Sequence, residues 1–176
     1  MAVKIGTRGN DEINGTSGDD SLYGRGGNDE LDGRGADDDL YGNSGNDELG
    51  GHAGRDLLYG NRGNDDLEGG SGNDKLWGGK GRDKLDGESG DDKLWGGGGA
   101  DRFAFDENAG RDLIKDFKVG ADRIEIDIDG ITKFDDLTIT DNGKGYAVVE
   151  LSGGDTVTLK GVAKADLAAS DFIFDT

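Results

Sequence analysis

The sequence predicts an all-β fold in which the chain winds as a parallel solenoid, and three regularities carry this prediction. An aspartate recurs every nine residues through the first hundred residues without a gap. An apolar residue follows each aspartate by two positions, and a glycine precedes each aspartate by five. A three-residue strand with one inward apolar side chain buries nothing alone, so such units have to stack to form a core.

Each unit reads Gly-x-x-Gly-x-Asp-x-apolar-x, and eleven units cover residues 6–104. The recurring aspartates are Asp11, Asp20, Asp29, Asp38, Asp47, Asp56, Asp65, Asp74, Asp83, Asp92 and Asp101. The residues two positions before them are Gly9, Gly18, Gly27, Ala36, Gly45, Gly54, Gly63, Gly72, Gly81, Gly90 and Gly99. Because glycine allows positive φ and close backbone approach, we expect six residues of each unit to form a turn and three a strand.

Two units would make one coil of eighteen residues, with two facing strands and a thin apolar core between two parallel sheets. Alternate aspartates then lie above one another, about 4.8 Å apart. One column, called the Asp11 edge below, contains Asp11, Asp29, Asp47, Asp65, Asp83 and Asp101. The other column, the Asp20 edge, contains Asp20, Asp38, Asp56, Asp74 and Asp92.

The composition indicates that a cation contributes to folding. The chain has 176 residues, 39 acidic against 20 basic side chains, a net charge of -19 and only 31% hydrophobic residues. Such a chain has too little apolar surface to order itself, and stacked carboxylates repel one another. Calcium binds six to eight carboxylate and carbonyl oxygens, and one ion in each gap between successive aspartates would reverse the repulsion. Five gaps on one edge and four on the other set a ceiling of nine ions. The alternative is a solenoid held by Asn or Asp ladders without metal.

Several other classes of protein are disfavoured by the same residues. The acidic field repels nucleic acid, no stretch is apolar enough to span a membrane, and the first ten residues lack an apolar signal region. Cysteine is absent, which excludes disulfides and thiolate metal sites. The single histidine, His52, excludes a two-histidine zinc protease site, and a uniform carboxylate ladder does not separate the pKa values of a glycosidase pair. No enzyme is predicted.

An aromatic column is predicted on the outer face of one sheet. The residue after the apolar position is aromatic in every second unit, namely Tyr23, Tyr41, Tyr59, Trp77 and Trp95. Lys75 and Lys93 flank the two tryptophans on the same face, whereas the other sheet carries acidic residues such as Glu12 and Glu30. One interpretation is a platform for an acidic polysaccharide such as alginate. The other is cross-strand stacking that stabilises a thin sheet.

After Phe105 the nonapeptide stops and alternating strands are expected instead. Strands are predicted at 124–128, 137–139, 148–151 and 156–159, with a hairpin turn at 152–155 and a short helical turn within 162–167. We therefore divide the chain into a repeat region, 1–104, and a small C-terminal β cap, 105–176. No comparable cap precedes the repeats, so an upstream passenger domain is expected.

Residues 6–104 resemble the RTX (repeats-in-toxin) calcium-binding repeat, Gly-Gly-x-Gly-x-Asp-x-apolar-x. The resemblance implies a right-handed parallel β-roll. It also implies that each ion takes the aspartate and the carbonyls of the second and fourth positions of one unit. The aspartate and a turn carbonyl two units further on complete the site. In this chain Gly70, Gly72 and Asp74 would be joined by Asp92 and by Ser89 or Gly90.

Residues 103–176 resemble the segment that closes such rolls in serralysin-like proteases, through Phe103–Phe105, Arg111–Phe117 and Gly120–Ile124. This implies a last calcium held by Asp112 with Asp106 or Glu107. The ending Ala168–Phe174, followed by Asp175 and Thr176, is similar to that of type I secretion substrates.

The expected function is therefore a monomeric, secreted bacterial module that folds on calcium outside the cell, with an ABC exporter as partner. The rival is a polysaccharide-binding or adhesion module, like those beside the catalytic domain in mannuronan C-5 epimerases.

Overall fold

The computed structural model describes residues 1–174 and shows two sheets stacked face to face, as the period predicts. Asp175 and Thr176, the residues after the predicted secretion ending, lie outside this range. The strands are β1 (Val3–Ile5), β2 (Glu12–Thr16), β3 (Ser21–Tyr23), β4 (Glu30–Arg34), β5 (Asp39–Ser44), β6 (Glu48–Ala53), β7 (Leu57–Arg62), β8 (Asp66–Ser71), β9 (Lys75–Lys80), β10 (Lys84–Ser89), β11 (Lys93–Gly98), β12 (Arg102–Phe105), β13 (Arg111–Ile114), β14 (Arg123–Ile126), β15 (Thr138–Asp141), β16 (Ala147–Glu150), β17 (Thr156–Leu159) and β18 (Phe172–Phe174). Short 3-10 turns span Phe134–Asp136, Ser152–Gly154, Lys164–Asp166 and Ala169–Asp171.

Strands β1 to β14 alternate between the two sheets, which confirms the coil of two units. Sheet 1 has the order β1-β3-β5-β7-β9-β11-β13-β17-β16-β15, and sheet 2 has the order β18-β14-β12-β10-β8-β6-β4-β2. The repeat strands pair in parallel with a register of eighteen residues, for example Leu40 opposite Leu58 and Leu67 opposite Leu85. The repeat region is therefore a parallel β-roll.

The core lies between the two sheets and is built from the apolar residue of each unit. Leu22, Leu40, Leu58, Leu67, Leu76, Leu85, Leu94 and Phe103 are fully buried. The residues on either side of each leucine in its strand are less buried, since side chains alternate across the sheet. Each eighteen-residue coil thus contributes only two large apolar side chains to the core.

The coil continues beyond residue 105, although its spacing changes. Strand β13 lies beside β11 with an offset of twenty residues, since Leu94 pairs with Ile114. Strand β14 lies beside β12 with an offset of twenty-one, since Phe103 pairs with Ile124. Both sheets therefore run without a break across the predicted boundary at 104 and 105.

The last fifty residues add an antiparallel meander to sheet 1 and one parallel strand to sheet 2. Strands β15, β16 and β17 form the meander, which confirms the predicted hairpin at 152–155. The helical turn predicted within 162–167 is the 3-10 turn Lys164–Asp166. Strand β18 closes sheet 2 beside β14, and Phe172 packs against Phe134 with ring centroids 5.3 Å apart. No helix in residues 1–174 has the length and hydropathy needed to cross a bilayer.

Candidate metal centre

The aspartates of the repeat form the two predicted columns, and each column is linked from coil to coil. One carboxylate oxygen, Oδ1, accepts the backbone N–H of the aspartate in the preceding coil. The distance is 2.9 Å from Asp47 N to Asp65 Oδ1 and 2.7 Å from Asp74 N to Asp92 Oδ1. These side chains are buried despite their charge, with Asp56 0% exposed and Asp65 2% exposed. The turns therefore place carboxylates inside the protein, along both edges of the core.

The second oxygen, Oδ2, has no protein partner in most of the column. Nine aspartates have a buried Oδ2 without a hydrogen bond, namely Asp29, Asp38, Asp47, Asp56, Asp65, Asp74, Asp83, Asp92 and Asp101. A buried anionic oxygen without a partner costs several kcal/mol. A cation beside each oxygen would remove this cost.

The raised pKa values of the column aspartates also indicate that a cation is needed beside them. Burial, joined by the charges of Asp83 and Asp47, raises the pKa of Asp65 to about 7. Burial and the neighbouring Asp92 raise the pKa of Asp74 to about 7. Without a cation, the columns would therefore hold protons near neutral pH. A divalent ion competes with those protons because it stabilises the charged form.

The glycines of the first and fourth positions provide room around these oxygens. A Cβ on Gly60, at a first position, would lie 2.4 Å from Asp65 Oδ2. A Cβ on Gly63, at a fourth position with φ of 137°, would lie 1.5 Å from the carbonyl oxygen of Gly45. The fourth-position carbonyl thus points along the column into the next turn. Only glycine allows this approach, and the approach brings carbonyl oxygens beside the carboxylates.

Second-position carbonyls point the same way, because a Cβ on Gly70 would lie 2.0 Å from His52 O. Eight second positions carry a residue other than glycine, and six of these residues adopt the positive φ that glycine would supply; they are Arg25, Arg34, Asn43, His52, Asn61 and Glu88. Ala36, the one exception among the fourth-position glycines, also has positive φ, 73°. These seven substitutions therefore keep the turn conformation at a cost in local strain, whereas Thr7 and Thr16 do not adopt positive φ.

The donor set fits calcium. No cluster of three or more His, Cys, Asp or Glu side chains suited to a metal occurs in residues 1–174. Each gap between coils instead offers carboxylates from two aspartates together with backbone carbonyls. Hard oxygen donors of this kind, in a turn of backbone carbonyls, suit calcium better than softer transition metals.

The predicted last ligand, Asp112, extends the Asp20 edge by one step. Its Oδ1 accepts the backbone N–H of Asp92 at 2.9 Å, and burial raises its pKa to about 8. Asp106 lines a groove on the outer face of sheet 2 with Asp86 and Glu125. Glu107 is an exposed turn residue. The pairing of Asp112 with Asp106 or Glu107 stays a prediction.

Sequence reasoning missed the residue that extends the Asp11 edge. The Oδ1 of Asp122 accepts the backbone N–H of Asp101 at 3.0 Å, and its Oδ2 accepts the N–H of Lys118 at 2.8 Å. The signal was present, since Asp122 stands two residues before Ile124 as in every repeat. The offset of twenty-one residues concealed it.

An asparagine ladder at the fifth position of the turns was also missed. The side-chain Oδ1 of Asn10, Asn28 and Asn46 accepts the backbone N–H of the next asparagine in the series at 2.8–2.9 Å. The ladder lies on the surface of the turns, and the recurrence of asparagine at steps of eighteen could have revealed it. It stabilises the stacking without filling the carboxylate columns.

The predicted aromatic column is present on sheet 1. Its five rings stack with centroids 4.4–5.0 Å apart and planes within 12° of parallel. Lys75 and Lys93 are exposed and pair in register beside the tryptophans. The sequence did not indicate Lys115, whose Nζ lies 5.4 Å from the centroid of the Trp95 ring. Each ring face inside the column is therefore covered by another ring, and the Trp95 end is covered by a lysine.

Comparison with solved structures finds 37 similar chains, among them the following three. The extracellular lipase LipA from Serratia marcescens is 21% identical over 99% of this chain, with a TM-score of 0.43. This chain spans 40% of the length of that lipase. The AlgE6R3 subunit of the Azotobacter vinelandii mannuronan C5-epimerase is 26% identical, covers 96% of this chain and 80% of its own, and has a TM-score of 0.43. The AlgE6R2 subunit is 28% identical over 75% of this chain and 89% of its own, with a TM-score of 0.38. A search among curated proteins gave no significant match.

The sequence profile of the RTX calcium-binding nonapeptide repeat matches this chain in four copies, at residues 5–40, 32–67, 41–76 and 68–103. The matches together cover more than half of the chain, and they coincide with the coils that carry the two aspartate columns. The chain therefore belongs to the RTX calcium-binding nonapeptide-repeat family, whose repeats bind calcium and are not catalytic.

Proposed function

We propose that this chain is a folding module of a secreted bacterial protein, which becomes ordered when it meets calcium outside the cell and supports type I secretion. The observation that carries this proposal is the set of nine buried, unpartnered Oδ2 atoms along the two edges. The chain has a net charge of -19, and among the described residues Lys118, 4.0 Å from Asp101 Oδ2, is the one basic side chain within salt-bridge distance of any of these nine oxygens. The fold therefore depends on cations from solution.

The ligands that we assign follow from the columns. One calcium ion lies in each gap between successive aspartates of an edge, which gives nine ions for Asp11 to Asp101. The second- and fourth-position carbonyls complete each site, and Asp112 holds one further ion at the end of the Asp20 edge. Every ion that binds the folded chain alone stabilises it by about 2.7 kcal/mol when free calcium is 100-fold above the dissociation constant. Because neighbouring ions share an aspartate, we expect folding to be steep in calcium.

The C-terminal ending provides the link to export. Phe172 is buried, strand β18 pairs with β14, and both oxygens of Asp171 accept backbone N–H groups at 2.9 Å, from Gly120 and Ala168. An exporter that reads this ending as an extended segment needs the chain unfolded. Scarce calcium in the cytosol would keep it so, and abundant calcium outside would then fold the chain after its passage.

The test of the folding step is a calcium titration of the whole chain by far-UV circular dichroism. We expect a cooperative gain of β signal with calcium, no comparable gain with equal magnesium, and full reversal by a chelator. A chain that is equally ordered in chelator would refute the proposal. For export, co-expression with a type I exporter should release the chain to the medium, and a variant without residues 168–176 should stay inside the cell.

A second candidate is binding of an acidic polysaccharide, extracellularly, on the face that carries Trp77, Trp95, Lys75 and Lys93. The in-register pair Lys75 and Lys93, together with Lys115 over the Trp95 ring, gives this face positive charge on an otherwise acidic protein and favours the idea. The stacking opposes it, because sugar rings bind aromatic faces and these faces already contact one another. The test is retention on alginate in calcium. Loss of retention in Trp77→Ala/Trp95→Ala, with retention kept in Tyr23→Ala/Tyr41→Ala, would support binding, whereas unchanged retention would end the idea.

A further inference from the structure

Three of the four turns at the ends of the aspartate columns differ from the nine turns between them; the fourth, which leads to Asp112, has positive φ at its second position, Asn108, like the inner turns. In the nine inner turns the second position has positive φ; these residues are Arg25, Arg34, Asn43, His52, Asn61, Gly70, Gly79, Glu88 and Gly97. The same nine turns contain the aspartates whose Oδ2 has no partner, Asp29 to Asp101. The correspondence is one to one. Where the second-position residue has positive φ, the Oδ2 atom of the aspartate in the same turn has no hydrogen bond and can bind a cation.

Three outer turns close their own carboxylate. The N–H of Thr7 donates to Asp11 Oδ2 at 2.6 Å, and the N–H of Thr16 donates to Asp20 Oδ2 at 2.6 Å. The hydroxyl groups of both threonines donate to the same oxygens at 2.9 and 2.8 Å. At the other end of the Asp11 edge, the N–H of Lys118 donates to Asp122 Oδ2 at 2.8 Å. Chain donors thus satisfy the outermost oxygens.

Lys118 also reaches back into the last inner turn. Its Nζ donates a hydrogen bond to the carbonyl of Gly97, and it lies 4.0 Å from Asp101 Oδ2. The Asp101 side chain is 0% exposed and that oxygen has no hydrogen bond. A second-position carbonyl and a column carboxylate are the two kinds of donor that the inner turns offer to an ion. The Lys118 ammonium group therefore lies beside the same kinds of oxygen atom that would bind a metal ion in the inner turns.

The backbone of this turn is held for the contact by a second side chain. The two carboxylate oxygens of Asp116 accept the N–H groups of Gly96 and Gly97, at 3.0 and 2.9 Å. Gly97 thereby directs its N–H toward Asp116 and its carbonyl toward Lys118. Asp116 and Lys118 lie in the segment between β13 and β14, so one short connection supplies both contacts.

We propose that the Lys118 ammonium takes the place of a calcium ion between Asp101 and Asp122, and that the Asp11 edge ends on a cation belonging to the chain. The corresponding gap on the Asp20 edge, between Asp92 and Asp112, has no lysine within salt-bridge distance among the described residues. The two edges therefore end differently. The last gap of the Asp11 edge, between Asp101 and Asp122, therefore closes without a metal ion. The ion in the neighbouring gap, between Asp83 and Asp101, then meets an Asp101 carboxylate whose charge Lys118 has already neutralised.

The test is Lys118→Met, which removes the charge and leaves an unbranched side chain one atom shorter, with Lys144→Met as the control for loss of one surface charge. The number of calcium ions bound per chain is measured by equilibrium dialysis at saturating calcium, and the folding midpoint by circular dichroism. We expect Lys118→Met to bind one more ion than the wild type and the control. We also expect its midpoint to lie at roughly three- to tenfold higher free calcium, because Asp101 loses its internal partner.

If Lys118→Met binds the same number of calcium ions as the wild type, the proposal is wrong, even if the folding midpoint moves. Lys118 would then stabilise the turn through its hydrogen bond to Gly97 without replacing a metal ion. If Lys118→Met does not fold in calcium, Lys118→Gln keeps a donor for Gly97 O without charge, and the same ion count decides. The inference rests on calcium binding by the repeats, not on the proposed export. A chain that is folded without calcium would refute calcium-triggered folding, while the extra ion could still be counted.

Discussion

Replacing Asp65 with asparagine removes one charge from the middle of the Asp11 edge and keeps the shape of the side chain. Asp65 is linked in both directions, because its Oδ1 accepts the N–H of Asp47 at 2.9 Å and its own N–H donates to Asp83 Oδ1 at 3.0 Å. It therefore borders two gaps. Asp11 provides a matched control, since it borders one gap and its Oδ2 is already bonded to the N–H and the hydroxyl of Thr7.

The expected magnitude follows from the number of gaps. With free calcium 100-fold above the dissociation constant, each ion contributes about 2.7 kcal/mol, so losing both ions beside Asp65 would cost about 5 kcal/mol. Asp11→Asn affects one ion and should cost about half as much or less. Without calcium the sign reverses for Asp65→Asn. Burial raises the pKa of Asp65 to about 7, so removing that carboxylate relieves the cost of burying its charge.

The assay is urea unfolding followed by circular dichroism, in buffers of fixed free calcium and in calcium-free buffer at pH 7.5. In calcium, the free energy of unfolding should fall in the order wild type, Asp11→Asn, Asp65→Asn. In calcium-free buffer, residual structure in Asp65→Asn should equal or exceed that of the wild type. Equal losses for the two variants in calcium, or the same loss for Asp65→Asn with and without calcium, would refute the assignment of Asp65 to two ions.

Three further predictions follow from the same geometry. The carboxyl groups of Asp38, Asp74 and Asp92, whose pKa burial raises from 3.8 to about 7, stabilise the calcium-free fold fully below about pH 4 and progressively less as pH rises from there through about 7. Circular dichroism of the calcium-free chain should therefore show more β structure at pH 5 than at pH 8, and equal disorder at both would contradict this. Gly63→Ala should cost roughly 3 kcal/mol or more in urea unfolding, because its Cβ would lie 1.5 Å from Gly45 O, whereas Gly18→Ala meets nothing within 4 Å and should be nearly neutral. Leu58→Ala should cost about 2–5 kcal/mol, since Leu58 is fully buried; a loss under about 1 kcal/mol in calcium would show that the leucine column is not the core.

The sequence was sufficient for the coil, the two sheets and both aspartate columns because each depends on steric rules that repeat without interruption. Alternation along the strand places Leu58 inward and Tyr59 outward, and an exact period of eighteen carries that choice from coil to coil. The aromatic column followed from the same argument. Of the two interpretations of that column, the structure shows the cross-strand stacking, since neighbouring rings lie nearly parallel with centroids 4.4–5.0 Å apart.

The end of the Asp11 edge could not be predicted because the period changes there. Extra residues shift Asp112 and Asp122 to offsets of twenty and twenty-one, so a search at eighteen passes over Asp122. Lys118 and Lys115 escape for a different reason. Their contacts depend on how the connection between β13 and β14 folds back on the roll, and no local pattern encodes that path.

The arrangement ties the metal to the fold more closely than a site on a preformed scaffold would. Each coil buries two leucines and, at the same time, two aspartates, so the surface removed from water is charged as well as apolar. In the absence of cations, each added coil stabilises the fold by burying two more leucines and destabilises it by burying two more charged aspartates. We therefore expect that length alone cannot stabilise the calcium-free chain, and that every coil added in calcium brings its own ions. The chain's own donors at Thr7, Thr16 and Lys118 matter for this reason, since they close the outermost carboxylates of the columns without an ion.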